Sequence, residues 1–195
     1  MAQVTSCVLR YMRIITVRPY LALTPVLFAI ALGLFPGSLS EAADQPSADQ
    51  IKAVFLLNFT KFIEWPPESM GRPDSTFNIC VLGNDALGSA LDQVVSGEAV
   101  YGRKVTVQKV DREPSPGNCK ILYFGEHDTS SRLLEEPEHG VLTVGESERF
   151  ARDGGMIGFV IENRRVSFVI NRPAADAAGL RLSSKLLAVA KAVTK

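Results

Sequence analysis

Phe77-Asn78-Ile79-Cys80-Val81-Leu82-Gly83-Asn84-Asp85-Ala86-Leu87-Gly88 is a short β-rich run that stops at a glycine and opens at once into a helical pattern. A strand that feeds a helix through so short a turn is the unit of an α/β fold. The helix is expected from Asp85 to Val95, bounded by Gly97. Working toward the C-terminus, the same grammar repeats. Lys104 to Val110 alternates like a half-buried strand, Pro114 to Asn118 is a loop, and Lys120 to Phe124 is a continuous apolar strand closed by Gly125. A helix from about Thr129 to Glu135, a strand at Val141 to Val144 and a helix from Ser147 to the Gly154-Gly155 stop follow. Ile157, Phe159 and Ile161 then alternate on one strand, and Val166, Phe168 and Ile170 on the next, with a turn around Asn163, which predicts a β-hairpin. Pro173 begins a helical turn ending at Gly179. Leu182, Leu186, Val189 and Val193 fall at helical spacing and predict a last helix running to the C-terminus, capped by Ser183 or Ser184.

Toward the N-terminus, Ser47 lies three residues before Gln50, the spacing of a capping box. Ile51, Val54, Phe55, Phe59, Phe62 and Ile63 then recur at helical spacing, and Pro66-Pro67 is expected to stop that helix after Trp65. The predicted fold is therefore α/β. It is a single layered helix–sheet–helix domain whose mostly parallel, mixed sheet carries a C-terminal antiparallel hairpin and a C-terminal helix.

Before that domain, Arg10, Arg13 and Arg18 precede an apolar run from Leu21 to Leu34, and Ser40-Glu41-Ala42 offers a small-x-small cleavage site. This is the order of a secretory signal peptide, with a run shorter than the roughly 20 residues a spanning helix needs. The expectation is cleavage after Ala42, leaving residues 43–195 as one exported domain, with a retained anchor as the alternative. The exported part keeps 18 basic and 20 acidic side chains. Such a balance has no general pull on nucleic acid or anionic lipid. Cys7 leaves with the signal, and Cys80 and Cys119 remain as an even pair in an exported chain, which reads as a disulfide.

The chain offers little chemistry of the catalytic kind. Gly83 to Gly88 lacks both the GxGxxG pattern and a Walker lysine, so a cap by Asn84 or Asp85 competes with anion binding there. Glu126-His127-Asp128 follows a strand, but no second histidine or carboxylate is spaced to complete a metal site, and His139 sits alone in a loop. Ser183-Ser184-Lys185 reads as a helix cap with a solvated lysine rather than a nucleophile pair. No catalytic residue, metal or cofactor is expected. Two binding surfaces are candidates. One is Lys61, Phe62 and Trp65 at the end of the first helix, where Asn58 also interrupts the apolar stripe; a plain core role for this helix is the alternative. The other is the hairpin tip Glu162-Asn163-Arg164-Arg165, whose adjacent arginines suit an acidic partner.

Taken together, Ile51 to Pro66, Phe77 to Gly83, Cys119 to Tyr123, Val141 to Gly145, Gly154 to Ile157, Phe168 to Asn171 and Leu182 to Leu187 resemble, in order, the segments of the YfiR-like family of exported bacterial proteins. The resemblance covers nearly all of the exported chain. It implies a periplasmic α/β protein that forms a homodimer. Relatives repress a membrane-bound diguanylate cyclase through its periplasmic sensor region, relieved by redox state and an outer-membrane lipoprotein, and so control cyclic-di-GMP and biofilm formation. Cys80 and Cys119 correspond to a family disulfide, whereas the second cysteine pair of the best-known members is absent here. That implies a structural staple rather than a labile redox bond. The function expected is thus repression of an inner-membrane diguanylate cyclase or another membrane sensor. From a different class, the alternative is a small-ligand receptor built on the loops Gly83 to Asp85 and Gly125 to Asp128.

Overall fold

In the computed structural model, residues 45–111, 118–125, 134, 136 and 138–194 are described. The expected signal segment, the Pro114 loop, most of the Thr129–Glu135 helix and the Glu126-His127-Asp128 cluster lie outside them. Helix α1 (Ala48–Phe62) starts on the capping box read from the sequence. Ser47 accepts from the Gln50 N–H while Gln50 accepts from the Ser47 N–H. It stops three residues earlier than expected. Ile63 and Glu64 are extended as strand β1 and pair antiparallel with β9 (Arg181–Leu182), and the Ser183 N–H donates to the Phe62 carbonyl. Pro66 also disfavours helical backbone at Trp65. A single 3-10 turn, Pro67–Met70, follows.

The main sheet runs through β2 (Phe77–Leu82), β3 (Ala99–Val100), β4 (Arg103–Val110), β5 (Ile121–Phe124), β6 (Leu142–Glu146), β7 (Ile157–Glu162), β8 (Arg165–Asn171) and β10 (Ala192–Thr194). Their spatial order is β10-β8-β7-β6-β5-β2-β4-β3. The pairs from β4 across to β7 are parallel, and β7–β8 and β3–β4 are antiparallel. Helices α2 (Asp85–Val94), α3 (Ser147–Arg152), α4 (Arg172–Ala177) and α5 (Ser184–Val189) complete five among the described residues. Asn84 caps α2 through its side chain, and Ser183 caps α5. The mixed α/β class, the mostly parallel sheet and the hairpin stand as expected.

Strand alternation gives the sheet two buried faces. Ile79 and Val81, Ile121 and Tyr123, and Ile157 and Phe159 share one core with α1 and α2. There Phe55 and Phe59 of α1 meet Phe168 with ring centroids 5.4 and 5.2 Å apart. Cys80, Leu82, Leu122 and Phe124 point the other way and pack with Cys119, Leu134, Val141 and Phe150 of α3. The disulfide Cys80–Cys119 joins β2 to the residues entering β5, with Cα atoms 5.8 Å apart. Gly154, at φ +110, passes so close to this core that an added Cβ would sit 2.5 Å from the Leu134 carbonyl oxygen.

The C-terminal helix is corrected. It ends at Val189, and Ala192–Thr194 is instead a strand, parallel to β8, with Val193 opposite Ile170. Leu182, Leu186, Val189 and Val193 keep a helical interval in sequence, yet they belong to three elements. The β3–β4 turn at Tyr101-Gly102, both with positive φ, is a further element that apolar periodicity does not mark.

Candidate functional site

Of the first candidate surface, each residue goes a different way. Trp65 is 6% exposed and meets Phe77 edge-to-face at 5.2 Å, so it is part of the core. Its indole N–H has no hydrogen-bond partner among the described residues. Lys61 is exposed and sits 3.7 Å from the Glu98 carboxylate. Phe62 is partly exposed and lines a shallow apolar hollow with Asn58, Phe168, Lys185 and Val189. Lys61, Phe62 and Trp65 therefore do not form one patch.

The hairpin tip is arranged differently. Asn163 and Arg164 both take positive φ, 49° and 64°, between the closing pair Glu162 and Arg165. This two-residue turn follows the right-handed twist of the strands and throws the arginines outward. Arg164 and Arg165 are exposed and form no ion pair among the described residues. Glu162 is paired. Lys191 Nζ stands 2.6 Å from its carboxylate and 2.7 Å from that of Glu148. These bonds hold the Lys191 ammonium above its ordinary range, and Lys191 in turn keeps the Glu148 carboxyl below its own. One ammonium is thus shared by two carboxylates, and with Arg164 and Arg165 the margin holds three cations against two acids. Beside it Ile161 is 50% exposed, and a hollow of about 590 Å³ opens among Glu162, Asn163, Arg165, Ser167 and Lys191.

A third cluster lies at the C-terminal ends of β5 and β6, where α/β sheets often hold ligands. Lys52 of α1, 5% exposed, reaches to 2.5 Å from a Glu146 oxygen and 3.7 Å from Asp49. The Tyr123 hydroxyl donates to the same Glu146 oxygen. Burial first, and Glu146 second, raise the Tyr123 phenol well above its usual range. Every charge here meets an opposite one, so the cluster fastens α1 to the sheet. At the other end of the strands, Lys120 is nearly buried beside a polar hollow of about 420 Å³ that includes Ser69, Asn78 and His139. Burial lowers its ammonium from the ordinary value.

Sequence reading missed Lys191 and Ile161. Lys191 becomes visible only once β10 is known to lie against β8. Ile161 carries a usable signal, since it is the last apolar residue of the alternating run before the charged turn.

A family model described as YfiR/HmsC-like matches residues 49–191. No curated protein matches the chain. Among solved structures, a conserved domain protein from Vibrio cholerae O1 biovar El Tor is similar, with 11% identity and a TM-score of 0.48. The match covers 76% of this chain, which spans 60% of that one. No helix among the described residues is long and apolar enough to cross a membrane.

Proposed function

The chain belongs to the YfiR/HmsC-like family, and from that premise we propose that it is a periplasmic regulator acting by stoichiometric binding. It binds and represses the periplasmic sensor region of an inner-membrane diguanylate cyclase, and so lowers cyclic-di-GMP and biofilm formation. The protein acts as a homodimer, and an outer-membrane lipoprotein relieves the repression. The observation that carries this reading is the hairpin margin, where two arginines with no ion pair among the described residues and a half-exposed isoleucine stand on a strand pair anchored in the core. Exposed cations beside apolar surface suit recognition of an acidic, partly apolar protein face. Repression then needs only a difference in affinity between two states of the partner. A ratio of about 10⁴ swings the equilibrium from almost all active to almost all inactive.

Gentle crosslinking in native membranes, followed by purification of the exported protein and identification of what accompanies it, tests the proposal. Recovery of a diguanylate cyclase or another membrane sensor is the expected result. Its absence, with the exported protein abundant, would contradict it.

A further inference from the structure

Strand β8 is covered unevenly on its outer side. The Lys191 N–H donates to the Phe168 carbonyl, and β10 then pairs with Val169, Ile170 and Asn171. Backbone groups alternate sides along a strand, so those of Val166 point to the same outer side as those of Phe168. The closing pair Glu162 and Arg165 fixes this phase independently, since a two-residue turn closes on a hydrogen-bonded pair that faces β7. No strand among the described residues lies against Val166 on that outer side. The 590 Å³ hollow opens here, between Arg165, Ser167 and Lys191.

Resting on the regulator reading, we propose that this open length of β8, from Arg165 to Ser167, is a docking edge for an extended acidic segment of a partner protein. The segment adds to the sheet as a strand, in line with β10. An exposed edge templates main-chain pairing, and the side chains at alternate positions supply selectivity. Charge selects the occupant. Glu162 and Glu148 share Lys191, whereas Arg164 and Arg165 have no carboxylate partner among the described residues, so cations outnumber acids at the site. Ile161 and Val166 are paired on one face of the hairpin, with Arg165 and Ser167 on alternate positions. A segment alternating acidic and apolar residues therefore matches both faces of the edge.

The test uses the exported protein and an acetylated, amidated hexapeptide alternating glutamate with valine. Amide exchange at Val166, followed by NMR, is expected to slow at least tenfold as the peptide saturates. A version N-methylated throughout, and one with lysine in place of glutamate, are each expected to bind at least tenfold more weakly. Equal binding of the N-methylated peptide would overturn the proposal, because charge alone would then hold it. Failure of the acidic peptide to bind at millimolar concentration would also overturn it. So would Val166 protection that grows with protein concentration without peptide, since a second copy would then cover the edge. Capture of a membrane sensor by a protein whose Val166 amide stays open would sink this inference and leave the regulator reading intact. Edge docking of the peptide with no signalling protein recovered from membranes would do the reverse.

Discussion

The middle of the sheet and its hairpin margin are built from the same residue types and meet opposite fates. In β5 all four residues, Ile121 to Phe124, are buried, and β2 is nearly so. In β7 and β8 burial fades along the strands. Ile157 is fully buried and Phe159 1% exposed, yet Ile161, two residues on, is half exposed. Parallel strands between two layers must be apolar on both faces. A hairpin that projects past its covering helix need not be, and apolar residues left there are free for a partner. The middle is a scaffold, and the margin is where binding is proposed.

Removing large side chains from the scaffold should have the largest effect. Phe159→Ala, beneath Phe55 and Phe59, is expected to cost about 3–5 kcal/mol of stability, and Trp65→Ala a similar amount. Chemical denaturation reads both. An unchanged midpoint for Trp65→Ala would return that residue to the surface. Next comes the staple. Replacing Cys80 and Cys119 with alanine should cost about 2–4 kcal/mol, since the bond closes a 39-residue separation in the unfolded chain. Non-reducing mass spectrometry should show the pair joined, and free thiols would contradict the staple.

Tyr123→Phe is a milder change, worth about 1.5–3 kcal/mol from one hydrogen bond to the Glu146 carboxylate. It has a pH signature. The folded chain holds the phenolic proton more tightly than the unfolded one, so the contribution of Tyr123 is complete below about pH 10. It is lost as pH rises beyond that, and denaturation midpoints of Tyr123→Phe should fall less steeply there than those of the parent. The smallest effect on stability belongs to the margin. Reversing Arg164 and Arg165 to glutamate, which sets a second acid across from Glu162, should move the folding free energy by no more than about 1 kcal/mol while weakening capture of the membrane partner. Unchanged capture would remove the tip from the interface.

The same contrast explains what the sequence discloses. The hairpin is legible because Ile157 to Ile170 alternates cleanly around Asn163, and α1 because Ser47 and Gln50 cap it. The strand pair β1–β9 and the strand β10 are not legible. Two or three residues hold no period, and their partners lie far away in sequence. Lys191 clamps Glu148 and Glu162, 43 and 29 residues distant, and that long-range contact takes Val193 out of the helix its spacing predicts. Trp65 fits a surface or a core equally well until Phe77 is seen against it. At the tip, exposure of the arginines follows from the turn, but the pairing of Glu162 with Lys191 is a contact the sequence does not show.

The most direct test is hydrogen exchange across the exported protein, alone and crosslinked to the membrane protein it recovers. Slowing confined to the hairpin margin, residues 160–167, with β2 and β5 unchanged, is the predicted result. Slowing centred on the hollow between α1 and α5, with the hairpin still exchanging freely, would contradict the account.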